Sequence, residues 1–164
     1  MDTVYYLSIF QNSLARLDQD LFRQKSLDLK VGIWLDSVAL KIQNPAWLNR
    51  DSSAKPFSES IFFSVWVSDA TIRESKIYYN IHALKMRELK GYKIKSRDFA
   101  QAFRERFKAY QSHWPNVSVD YGPLTLMEGW VNLDDSVEQQ INTLALKFLD
   151  IAYIIDDLLN EAKK

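Results

Sequence analysis

The stretch LKVGIWLDSVALKIQ, from Leu29 to Gln43, decides how this chain folds. Leu29, Val31, Ile33 and Leu35 alternate with Lys30, Gly32, Trp34 and Asp36. After Asp36-Ser37, Val38, Leu40 and Ile42 alternate with Ala39, Lys41 and Gln43. A period of two is the signature of a strand with two unlike faces, and two such runs across a short polar step predict an antiparallel pair. Asn44-Pro45 ends it, and Asn49 to Ser60, rich in Ser, Asp, Lys and Pro, reads as an exposed loop.

The same alternation recurs downstream. Ile61, Phe63, Val65 and Val67 share one face of a third strand, with Phe62, Ser64, Trp66 and Ser68 on the other. From Lys76 to Leu84, Ile77, Tyr79, Ile81 and Ala83 alternate with Tyr78, Asn80, His82 and Leu84. The short polar connection Asp69–Ser75 makes this pair a second hairpin.

Outside this β block the period changes to that of a helix. Leu7, Phe10, Leu14, Leu17 and Leu21 predict a helix over Thr3–Lys25, and Phe99, Phe103, Phe107 and Tyr110 a second one opened by Ser96. Val117–Tyr121 and Leu124–Val131 read as two further strands around Gly122-Pro123. Asp135 and Glu138 have capping-box spacing. They open a final helix to about Ala162, whose seam runs through Val137, Ile141, Leu144, Phe148, Ile151, Ile155 and Leu158. The expected order is α-β-β-β-β-α-β-β-α: one α+β domain over residues 1–164, with a mainly antiparallel sheet and its terminal helices packed together on one face. As a single rod the last helix would span about 40 Å, which raises a homodimer seam as one use for it.

Composition narrows the function classes. With 164 residues, 47% apolar and 26% charged, the chain is that of an ordinary globular domain. It has no cysteine, which excludes disulfides and thiolate metal sites and fits a reducing compartment. Residues 1–6 lack the character of a signal peptide, and no apolar run approaches the roughly twenty residues of a membrane span. The expectation is a cytoplasmic protein with no membrane partner. Its net charge of zero hides a basic stretch, Lys85–Lys108, followed by an acidic C-terminal third.

Four groups of residues are candidates for function. If Ile33, Phe63 and Ile81 face the helices, the opposite sheet face carries Trp34, Phe62, Trp66, Tyr78 and His82 among Lys30, Lys41, Ser64 and Asn80. A solvated sheet face is ordinarily polar, so these rings predict either a covering layer or a partner surface anchored by Trp and Tyr. The reading taken forward is a non-enzymatic protein-binding module. Small bacterial α+β domains such as secretion chaperones, inhibitors and immunity proteins supply the analogy, at the level of fold only.

The second group is Lys85, Arg87, Lys90, Lys93, Lys95, Arg97 and Arg104, a possible phosphate-binding face for nucleic acid. The third is Asp69 at the end of one strand with Glu88-Leu89-Lys90 after the next. This arrangement resembles that of the metal-dependent PD-(D/E)xK nucleases, although the Pro before the Asp is missing. The resemblance implies two carboxylates holding Mg²⁺ and a lysine assisting the attack of water. Glu74-Ser75-Lys76 shows the same spacing, so the pattern is common in a chain this charged. The fourth is His82 and His113, the only histidines, without metal-ligand spacing; no resident metal or cofactor is expected on the binding-module reading. Only Gly32, Gly91, Gly122 and Gly129 are glycines, which leaves no phosphate-cradling loop.

Overall fold

A computed structural model describes residues 1–49 and 55–164. Five antiparallel strands follow one another in space as they do in sequence: β1 (Asp28–Trp34), β2 (Ser37–Gln43), β3 (Ser60–Val67), β4 (Lys76–Leu84) and β5 (Thr125–Asn132). The helices are α1 (Thr3–Arg16), α2 (Gln19–Arg23), α3 (Asp69–Arg73), α4 (Ser96–Phe107), α5 (Val137–Phe148) and α6 (Ala152–Glu161). The α+β class, the antiparallel sheet and the packing of the terminal helices are as expected. Part of the predicted 49–60 loop, residues 50–54, lies outside the described residues.

Register fixes which side chains share a face. Leu40 lies opposite Val31 and Val65, and Val65 in turn lies opposite Tyr79. Leu40, Val65 and Tyr79, with their neighbours Ile42, Phe63 and Ile81, are buried in the core, and Val31 is half-buried at its edge. Phe63 stacks on Phe148 of α5, ring centres 4.6 Å apart, with Trp47 and Trp114 packed edge-on or tilted around them. Tyr79 crosses above Gly129 of β5, where the missing Cβ lets its hydroxyl donate to the Pro115 carbonyl at 2.6 Å. Serine 13, fully buried on α1, bonds to Asn142 of α5, and Arg16 pairs with Glu138 at 2.9 Å. The two ends of the chain are thus joined in one helical layer.

Several elements are shorter than their patterns predict. The first helix stops at Arg16: Leu17 is extended, and Asp18 caps a separate α2 with its side chain. The connection over Asp69–Ser75 contains α3, opened by a capping box between Ser68 and Thr71. Val117–Tyr121 forms no strand; only Ser118 bridges to Glu128. Leu35, expected on the core face, sits in the β1–β2 turn at φ 53° and is 98% exposed. Lys95 precedes α4 at the capping position in place of Ser96, without a side-chain bond. Ser136 precedes α5 without capping it, and its own N–H and hydroxyl donate to Asp134, so the Asp135–Glu138 box does not form.

The last helix is the largest departure. It breaks across Leu149–Ile151, where the backbone tightens to bonds between residues three apart. No Gly or Pro causes this. The break lets α5 pack on α1 and α6 on α4, burying Ile154, Ile155 and Leu158. The single helix expected to run to about Ala162 is replaced by two.

Candidate functional site

The face of the sheet turned away from the helices is organised as rows running across the strands. In one, Lys30 lies opposite Lys41, Lys41 opposite Ser64, Ser64 opposite Asn80, and Asn80 opposite Glu128. Beside it runs Ala39, Trp66, Tyr78 and Trp130. On its other side lie Phe62, His82 and Thr125, at an irregularity between β4 and β5. A polar row is therefore set between two aromatic ones. Irregularities of this kind bend a strand and add twist.

All five residues predicted as the partner surface lie on this face. Trp34, Phe62, Trp66 and His82 line a cavity of about 560 Å³ with Lys41, Ser64, Asn80 and Glu128. That size suits a small molecule or a few side chains. Among the described residues the walls come only from strands and from the turns at Leu35 and Ser58, with no helix over them. Tyr78 stands outside the cavity, its ring tilted against Trp66 at 5.3 Å and its hydroxyl on Glu74.

The middle of the polar row is buried although no helix among the described residues covers it. Asn80 is 2% exposed, Ser64 4% and Lys41 8%, because the flanking rings rise around them. The Lys41 ammonium donates to the Phe57 carbonyl at 3.0 Å and lies 4.3 Å from the centre of the Trp34 ring and 4.5 Å from that of Phe62. Cation–π contact accounts for that seat. No carboxylate pairs with it among the described residues. Burial accordingly pulls its pKa down from 10.5 to about 8.

Two residues lining the cavity each keep a buried polar atom without a hydrogen-bond partner. The Trp66 indole N–H and the Asn80 side-chain oxygen are both buried and unbonded. The Asn80 amide group is oriented by its donation to Glu128 at 3.2 Å, which leaves that oxygen as a free acceptor. His82 sits against Phe62 at 5.3 Å, with Nδ1 3.4 Å from the Leu124 carbonyl and the Thr125 hydroxyl. Burial lowers its pKa, opposed by that carbonyl.

The other candidates are not assembled. Asp69 begins α3, after the end of β3, and holds the N-terminal ammonium at 2.7 Å. Glu88 and Lys90 follow the far end of β4. The register from Trp66–Tyr78 to Ser60–Leu84 spans six residues, so the ends of the hairpin that lead to Asp69 and to Glu88 are separated by about 20 Å. The structure does not bring together the carboxylates that the nuclease arrangement and its Mg²⁺ require. Among the described residues no three His, Asp or Glu side chains gather to hold a metal. His113 is exposed in a single turn after α4, where its N–H donates to the Tyr110 carbonyl and its own carbonyl accepts from Lys147.

The basic set is divided. Arg104 turns inward, donating to the carbonyls of Gly122, Thr125 and Leu126 at 2.8–3.1 Å, a role in holding the loop before β5. Lys85 pairs with Glu59 at 2.9 Å. Arg87, Lys93, Lys95 and Arg97 are exposed around the start of α4. Arg106, outside the set, pairs with Glu161 of the acidic last helix at 2.7 Å.

Type and alternation mark the rings, but not Glu128, which closes the polar row, or the burial of Lys41. Glu128 alternates with Met127 and Gly129 along β5, and that period was the available signal. The burial of Lys41 depends on rings from two other strands, which no local pattern reports. No helix among the described residues is long and apolar enough to cross a membrane. No protein-family model, curated protein or solved structure matches the chain.

Proposed function

We propose that this chain is a non-enzymatic binding module that holds a protein partner on the open face of its sheet, in the manner of a chaperone, inhibitor or immunity protein. One observation carries the reading: a ring-lined cavity in which buried polar atoms of Trp66 and Asn80 have no partner. A buried donor or acceptor left unpaired costs about 1–3 kcal/mol. A partner that supplies the missing bonds recovers that cost, and Trp rings beside it supply the apolar contact typical of binding hot spots.

Trp34→Ser and Trp66→Ser test this reading. Neither ring belongs to the helix-covered core, so each variant should lose no more than about 1–1.5 kcal/mol on urea denaturation. A partner captured from extract by the wild-type chain should be retained at least about tenfold more weakly by either variant. Equal retention by both would remove the open face from the interaction. A loss of 4 kcal/mol or more would show the rings to be core.

A further inference from the structure

Resting on that reading, we infer that the group seated on the open face is a carboxylate, carried by a peptide segment of the partner with an aromatic side chain beside it. The polar row determines the chemistry. Among the described residues Lys41 donates to one acceptor, the Phe57 carbonyl, and lies over the Trp34 and Phe62 rings. Trp66 adds an indole N–H with nothing to donate to. A cationic donor and a neutral donor, both buried and both short of acceptors, are complementary to an anion.

The rest of the row sets its charge and its attachment. Glu128 closes the row on the side away from Lys41, so the cavity carries one ammonium opposed by one carboxylate. A phosphate dianion in that cavity would meet repulsion and only a single cation. A carboxylate is matched by Lys41 alone. Between these ends the Asn80 oxygen is an acceptor awaiting a donor. A peptide N–H next to the carboxylate supplies one, and an aromatic side chain has the faces of Trp66 and Phe62 to rest on.

The probes are N-acetyl-L-phenylalanine and its carboxamide, which share the ring and the amide N–H and differ in the negative charge. Each is titrated into the full chain up to about 10 mM, and affinity is read from the Trp66 indole N–H resonance. The acid should bind at least roughly tenfold more tightly than the amide. In Lys41→Met, and in Lys41→Gln as a second variant that keeps polarity, the two affinities should fall within about twofold of each other. Lys30→Met, at the exposed end of the same row, should leave the preference for the acid intact. Equal binding of acid and amide to the wild type would overturn the carboxylate assignment while leaving the open-face site standing. A preference that survives in both Lys41 variants would overturn it too, as would tighter binding of inorganic phosphate. No movement of Trp66 with any probe would overturn both this inference and the binding reading beneath it.

Discussion

Gly129→Ala is expected to cost roughly 2–6 kcal/mol. A Cβ at this position would meet the Tyr79 hydroxyl and ring well inside van der Waals contact and lie 2.8 Å from the Pro115 carbonyl. Backbone lies on one side and a buried ring on the other, so neither neighbour yields easily. Overpacking costs about 1–3 kcal/mol. Displacing Tyr79 also breaks its hydroxyl bond to the part-buried Pro115 carbonyl, for about 1–3 kcal/mol more. Tyr79→Phe, which removes the bond without the clash, should cost only that second part. Urea denaturation of the two variants separates the terms. A Gly129→Ala protein within 1 kcal/mol of wild type would contradict the close crossing of Tyr79 over β5.

Lys41→Met is expected to act in the opposite direction, stabilising the protein by about 1–3 kcal/mol at pH 7. The ammonium is held in a low-polarity seat, and its pKa is about 8 in the folded chain against 10.5 when exposed. Below pH 8 both folded and unfolded chains carry the proton, so the full cost of burying the charge is present. Between about pH 8 and 10.5 the folded state gives up its proton while the unfolded state retains it. Wild-type stability gains from Lys41 as pH rises through that window. The advantage of Lys41→Met should therefore shrink from pH 7 to pH 10. Denaturation of both proteins at the two pH values measures it. A destabilised variant, or an advantage independent of pH, would contradict the reading of Lys41 as a strained buried cation. A buried cation that costs the fold stability while lining a cavity is what a binding site requires.

The sheet was readable from sequence because period two assigns both faces at once. Phe63 and Trp66 are close neighbours on β3, yet alternation alone sends one to the helices and the other to the cavity. The helix boundaries were less readable, since they answer to partners distant in sequence. Leu149–Ile151 contains no breaker, and the helix parts there because α1 and α4 offer two separate surfaces. A continuous seam from Val137 to Leu158 describes a buried helix of either kind. Asp69–Arg73 was hidden by its brevity, although Ser68 and Thr71 supply reciprocal capping bonds that sequence alone only permits.

The site was half visible for the same physical reason. Trp34, Phe62, Trp66 and His82 stand out by type and alternation. That Lys41 is buried, that the Asn80 oxygen is left free by Glu128, and that Asp69 and Glu88 lie apart are consequences of register between strands. Arg104 shows the converse: by composition it belongs to a basic surface, and by geometry it binds three backbone carbonyls.

The most direct test of the open face as the binding site is the indole N–H spectrum of the five tryptophans during titration with N-acetyl-L-phenylalanine. Trp34 and Trp66 line the cavity, whereas Trp47 and Trp114 are buried on the helical side. Saturable movement of the Trp34 and Trp66 resonances, with Trp47 and Trp114 unmoved, is the predicted result. Movement confined to Trp47 and Trp114, or no movement at all, would contradict the account.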